Sequence, residues 1–148
     1  MAITIAPLQA DDLIVAVELL EAQLTEHDIA STAEALETVT RAVLANPARG
    51  FILLARADGD VVGLAYAAAH LSAEHGGTIG WLEEFYVRPR ARGRGAGSAL
   101  LQAVLDHSRE SGWRALELEV VEGHERAIPL YQRHGFERNT RARFTQCL

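Results

Sequence analysis

The 148-residue chain contains no lysine; all fourteen of its basic residues are arginine. That removes a Walker A phosphate loop, which needs Gly-Lys-Ser/Thr, and any catalytic lysine. Its single cysteine, Cys147, allows no internal disulfide, and nothing around it in sequence suggests an activated thiolate, which argues against a covalent cysteine route. No apolar run approaches the roughly 18 residues needed to span a bilayer, so no membrane partner is expected. Met1–Ile5 lacks the basic-then-apolar pattern of a signal peptide, and a cytoplasmic protein is the expectation. His70, His75, His107 and His134 have no metal-like spacing, and no metal is expected. With 49% hydrophobic and 23% charged residues, the chain is a globular protein of about one domain, taken as residues 1–148.

The net charge of −6 is unevenly spread. Residues 1–87 hold three arginines against thirteen acidic residues, whereas residues 88–148 hold eleven arginines against seven. Arg88, Arg90, Arg92 and Arg94 fall within seven residues. An acidic protein with one such cluster is poorly suited to nucleic acid and better suited to gripping a compact anion.

Patterning along the chain predicts a mixed α/β structure. Ile3–Ile5 reads as a strand ended by Pro7, and Asp11–Leu24 as an amphipathic helix. Ser31-Thr32-Ala33-Glu34 resembles a capping box opening a second helix that stops near Asn46-Pro47. Two strand-like runs, 51–57 and 61–71, flank the hairpin signal Asp58-Gly59-Asp60. A third long strand, 78–87, runs into a loop rich in arginine and glycine and then a helix over 98–111. Strict alternation over 115–121 predicts a strand, 125–134 a short helix, and the tail 137–148 a final strand.

The chemistry concentrates at Arg92-Gly93-Arg94-Gly95-Ala96-Gly97-Ser98. Glycines at alternate positions between a buried strand and a helix start permit φ > 0 and close approach of a ligand to the backbone. Consecutive amides and the helix N-terminus then form an anion cradle suited to a phosphate or pyrophosphate, with Arg92 and Arg94 at its rim. A surface turn with solvated arginines has the same composition, so the loop alone leaves both readings open.

Two motifs together resemble the GNAT superfamily of acetyl-CoA-dependent N-acetyltransferases. Arg92–Gly97 matches the family's Arg/Gln-x-x-Gly-x-Gly/Ala loop, preceded by Val87-Arg88-Pro89. Ala127-Ile128-Pro129-Leu130-Tyr131-Gln132-Arg133-His134-Gly135-Phe136 matches its C-terminal Ala-Ile-x-Leu-Tyr-x-x-x-Gly-Phe pattern. The resemblance implies a single GNAT-like domain: a mixed, mostly antiparallel sheet of six to seven strands flanked by about four helices. It implies acetyl transfer to a primary amine, small molecule or peptide, by direct attack on acetyl-CoA. A non-catalytic acyl-CoA-binding module is the alternative. A homodimer is also implied, since dimers are frequent in the family.

The resemblance further assigns pantetheine contacts to Phe85, Tyr86 and Val87. It places the pyrophosphate on the amides from Arg92 through Gly93, Arg94, Gly95, Ala96 and Gly97, with Ser98 adjoining. His124 stands where the family often has an asparagine against the pantetheine arm. Tyr131 is implied as the acid for the departing thiolate; a tyrosine simply packed against Phe136 is the competing role. Glu83 and Glu84 are the candidate bases. The stretch Trp81–Val87 resembles polyamine-type members and points to Glu83 first, on the face shared by Phe85 and Val87 unless a bulge shifts the register. His27 and Asp28, between the first two helices, are candidate acceptor contacts.

Overall fold

The computed structural model describes residues 2–148. Strand β1 (Ile3–Pro7) precedes helices α1 (Leu13–Glu26) and α2 (Ala33–Ala45). Strands β2 (Gly50–Ala57), β3 (Asp60–Ser72) and β4 (Gly77–Val87) follow, then α3 (Ala96–Glu110), β5 (Leu116–Glu117) and α4 (Ile128–Arg133). The strands form one sheet in the order β1-β2-β3-β4-β5, antiparallel throughout except for the parallel β4–β5 pair. Among the described residues, no helix is long and apolar enough to cross a membrane.

Local chemistry explains the joints. Asp58 (φ 52°) and Gly59 (φ 89°) are both left-handed, as the tightest hairpin turns require, and they join β2 to β3. Thr32, one residue later than Ser31, caps α2 by accepting from the Ala35 amide. Each sheet face has its own core. Leu53, Ala65, Leu82 and Val87 pack with Leu100, Leu101 and Val104 of α3. On the other face Leu54, Leu64 and Tyr86 pack with Ala16, Leu19 and Leu20 of α1 and Val43 of α2. Burial of such side chains is the main stabilising term, about 1.5–3 kcal/mol for each large one.

Five strands form where six to seven were expected. Of the run 115–121, only Leu116–Glu117 pair, with Gly80 and Trp81. Beyond that point β5 and β4 part, so Leu118–Val121 line a cleft and have no ladder partner. The tail 137–148 is exposed at every residue and forms no strand. Without a buried face, alternation gives a strand nothing to hold its register.

Candidate active site

The parting of β4 and β5 opens a cleft of about 790 Å³, within the usual range for ligand pockets. The β5-facing edge of Leu82–Val87 has no strand partner among the described residues, and its backbone groups are left to hydrogen-bond an extended ligand. The cleft runs from the glycine loop at one end to Trp81 and Glu83 at the other, with α1 and α4 as its walls.

At the loop end, Gly93 (φ 74°) and Gly95 (φ 88°) are left-handed, and Gly95 caps α3 from that conformation. A Cβ on either would meet nothing within 4 Å, so the space above the loop is open. The Arg92 amide is spent on the Pro89 carbonyl, whereas the amides of residues 93–98 make no backbone hydrogen bond among the described residues. Unpartnered amides at a helix N-terminus are the chemistry an anion such as a pyrophosphate requires.

The Arg92 side chain turns away from that cradle. Its Nε donates to the Val87 carbonyl (2.8 Å), its NH2 donates to both Glu26 oxygens (2.9 and 2.8 Å), and its guanidinium lies 5.5 Å from the centroid of the Tyr86 ring. Arg92 thus ties the end of β4 to the end of α1. The hydrogen bonds from Arg92 hold the Glu26 carboxyl below its usual pKa, and Arg126 at 3.6 Å adds to this. Arg94 makes no ion pair among the described residues. Ser98 Oγ lies 3.2 Å from His134 Nε2. His134 Nδ1 is 2.9 Å from the Leu130 carbonyl, so Nδ1 donates there and Nε2 accepts from Ser98. This pair links the start of α3 to the end of α4.

A bulge controls the acidic end. Tyr66 pairs with Glu84 and Ala67 with Leu82, so Glu83 is the extra residue. The insertion breaks alternation: Leu82 joins Phe85 and Val87 in the α3-side core, while Glu84 and Tyr86 face α1. Glu83 is exposed and stands off the face it was expected to share. Glu84 is largely buried, and desolvation pushes its pKa up to about 7, opposed by the Gln23 side chain and assisted by the Glu83 charge. Gln23 is itself buried on α1.

Tyr131 enters the cleft from α4, its ring edge-on to Phe85 (6.2 Å) and Phe136 (5.9 Å). Burial pushes its pKa up to about 12, so the phenol stays protonated at any working pH. His27 and His124 stack at 4.2 Å across the mouth of the cleft. Burial, helped by His124, lowers the His27 pKa, and Glu26 opposes this. Asp28 lies outside the cleft lining. Its φ of 57° ends α1, its amide donating to the Thr25 carbonyl and that of Ile29 to Leu24, a Schellman stop.

Gln23, Glu26, Arg126 and His134 carry structure at this site that motif reading did not single out. For Gln23 a signal existed, because it continues the buried stripe Leu13, Ala16, Leu19, Leu20 and is the one polar residue there. Glu26 and Arg126 are a hundred residues apart and carry no such mark.

The chain belongs to the family described as Acetyltransferase (GNAT), whose sequence model matches residues 16–136. It is therefore an acyltransferase with the N-acetyltransferase fold. It is 31% identical over 111 residues to an uncharacterized N-acetyltransferase of Bacillus subtilis, YhfO, covering 75% of this chain and 74% of that one. It is 32% identical over 109 residues to an aminoglycoside N(6′)-acetyltransferase type 1 of Stenotrophomonas maltophilia (72% and 71% covered). It is 33% identical over 85 residues to a spermine/spermidine N(1)-acetyltransferase of B. subtilis, of which the match spans 56%. Among solved structures, an integron cassette protein from a salt-marsh metagenome superposes with a TM-score of 0.87 at 32% identity, over 97% of this chain and 90% of that one. A predicted acetyltransferase from Clostridium acetobutylicum, solved with acetyl-CoA, shares the fold at 17% identity and a TM-score of 0.81, over 98% of this chain and 96% of that one.

Proposed function

We propose that residues 1–148 act as one domain that moves an acetyl group from acetyl-CoA to a primary amine by direct attack. The observation that carries this reading is the divergence of β4 from β5 beside the glycine loop, with Glu84 and Tyr131 both lining the gap. Acetyl-CoA supplies an activated thioester. The amides of residues 93–98 hold its pyrophosphate, and the free edge of Phe85–Val87 holds its pantetheine arm. His124 sits beside that arm in place of the family's asparagine.

Glu84 is the base. A carboxyl with a pKa of about 7 is half ionised near neutrality and takes a proton from the bound ammonium. Its burial supplies that pKa, and Glu83 is exposed. The freed amine forms the C–N bond as the C–S bond breaks. A backbone N–H at the end of β4 stabilises the charge that develops on the carbonyl oxygen. Tyr131 gives its proton to the departing thiolate and is reprotonated from the nitrogen side. Of the two protons the nitrogen loses, one ends on the thiol and one reaches solvent through Glu84.

Thiol release measured with a panel of amines tests this reading. The wild type turns over, and Tyr131→Phe loses about 10²-fold in kcat. Binding of CoA without turnover on any amine overturns it in favour of an acyl-CoA-binding module.

A further inference from the structure

A second groove, of about 820 Å³, continues the cleft past Trp81 along β4 and β5. Its walls from the sheet side carry Glu74, Glu83, Glu117 and Glu119 and no arginine; its only guanidinium groups, Arg141 and Arg143, come from the tail. Arg143 lies with its Cζ 4.6 Å from the centroid of the Trp81 ring, and its NH1 forms an ion pair with Glu119 Oε1 at 2.7 Å. Arg141 is paired with Glu74. Among the described residues the tail makes no backbone hydrogen bond to the sheet, so these arginine contacts are its attachment.

An aromatic face with a carboxylate beside it is a cation site, because the ring quadrupole and the negative charge favour the same occupant. Here the chain's own guanidinium fills it. Both partners of the Arg143–Glu119 pair are about half exposed (53% and 47%), and such a pair is held weakly enough to exchange for another cation. The place is also informative. Leu82 points into the α3-side core, so Trp81 projects to the opposite face, where Glu84 also lies. Three residues along a strand separate the two by roughly 10 Å.

We infer that Trp81 and Glu119 form a subsite for a second, non-reacting cation of the acceptor, and that Arg143 occupies this subsite until the acceptor displaces it. The acceptor is then an elongated amine with a cationic group at each end, one end presented to Glu84 and the other stacked on Trp81. The inference rests on the acetyl-transfer reading of the same cleft.

Calorimetric titration of diaminooctane and octylamine into the CoA-saturated protein tests it without requiring turnover. The diamine binds about tenfold more tightly than the monoamine, the size expected for one cation–π contact with an adjacent carboxylate. Glu119→Gln and Trp81→Leu each bring the two affinities together. Arg143→Ala widens the gap, because the internal competitor is gone. Equal affinities in wild type, or an Arg143→Ala protein with an unchanged gap, overturn the inference. If Trp81→Leu does not fold, Glu119→Gln and Arg143→Ala decide the matter. Failure of acetyl transfer itself shows differently, as absence of thiol release from acetyl-CoA with either amine.

Discussion

The two ends of the cleft are built on different principles. The proposed donor end is a backbone device, in which consecutive amides around the left-handed Gly93 and Gly95 border open space. The proposed acceptor end relies on side chains, drawn from α1 (Gln23), β4 (Trp81, Glu84), the segment after β5 (Glu119) and the tail (Arg143). Backbone devices are written in one contiguous stretch. Side-chain devices depend on which elements meet, and so they vary without disturbing the fold.

Removing the proposed base, Glu84, breaks this contrast most severely. Glu84→Gln is expected to lower kcat by 10²-fold or more and to abolish the rise in rate through about pH 7. Glu83→Gln leaves that rise in place. A pH–rate profile of the two variants checks both.

At the donor end, Gly95→Ala tests the backbone alone. A Cβ there meets no neighbour within 4 Å, so the cost is the left-handed φ of 88°, about 1–2 kcal/mol. The expected outcome is an acetyl-CoA KM raised about tenfold with kcat little changed, read from initial rates.

Glu26→Gln probes the strut between the ends. Arg92 and Glu26 are about one-third exposed on their side chains (36% and 30%), so the loss is about 1 kcal/mol. It registers as a lower midpoint in thermal melts and a KM for acetyl-CoA raised a few-fold.

A last effect is on stability against pH. Glu84 binds its proton more tightly folded, at about 7, than its ordinary value of 4.5. Between those values the folded state holds the extra proton, so stability falls as pH rises and levels off above about 7. Glu84→Gln is expected to flatten that part of a melting-temperature profile, while Glu83→Gln is expected to keep it.

The legibility of the site followed the same division. The Arg92–Gly97 loop, the hairpin at Asp58-Gly59 and the four helices are visible in sequence because each depends on residues within a few positions of one another. Glu83 outranked Glu84 on the resemblance to polyamine-type members, whereas the bulge opposite Tyr66 and Ala67 makes Glu83 the unpaired, exposed residue and leaves Glu84 on the α1 side with Tyr86. Arg92 was expected at the rim of the anion site, but Glu26, 66 positions away, draws its guanidinium inward. Asp28 read as an acceptor contact because, in the family the chain resembles, the connection between the first two helices roofs the acceptor pocket, whereas its left-handed backbone serves to end α1.

Local sequence by itself determined the family, the helices, the anion loop and the placement of a tyrosine on α4. These follow from propensity, glycine freedom and short-range spacing, which act before distant segments meet. Tertiary structure alone decided how far β5 follows β4, which carboxylate is buried enough to titrate near neutrality, and where the arginines point. Desolvation and ion pairing are properties of the surroundings, and here those surroundings come from residues scattered along the whole chain.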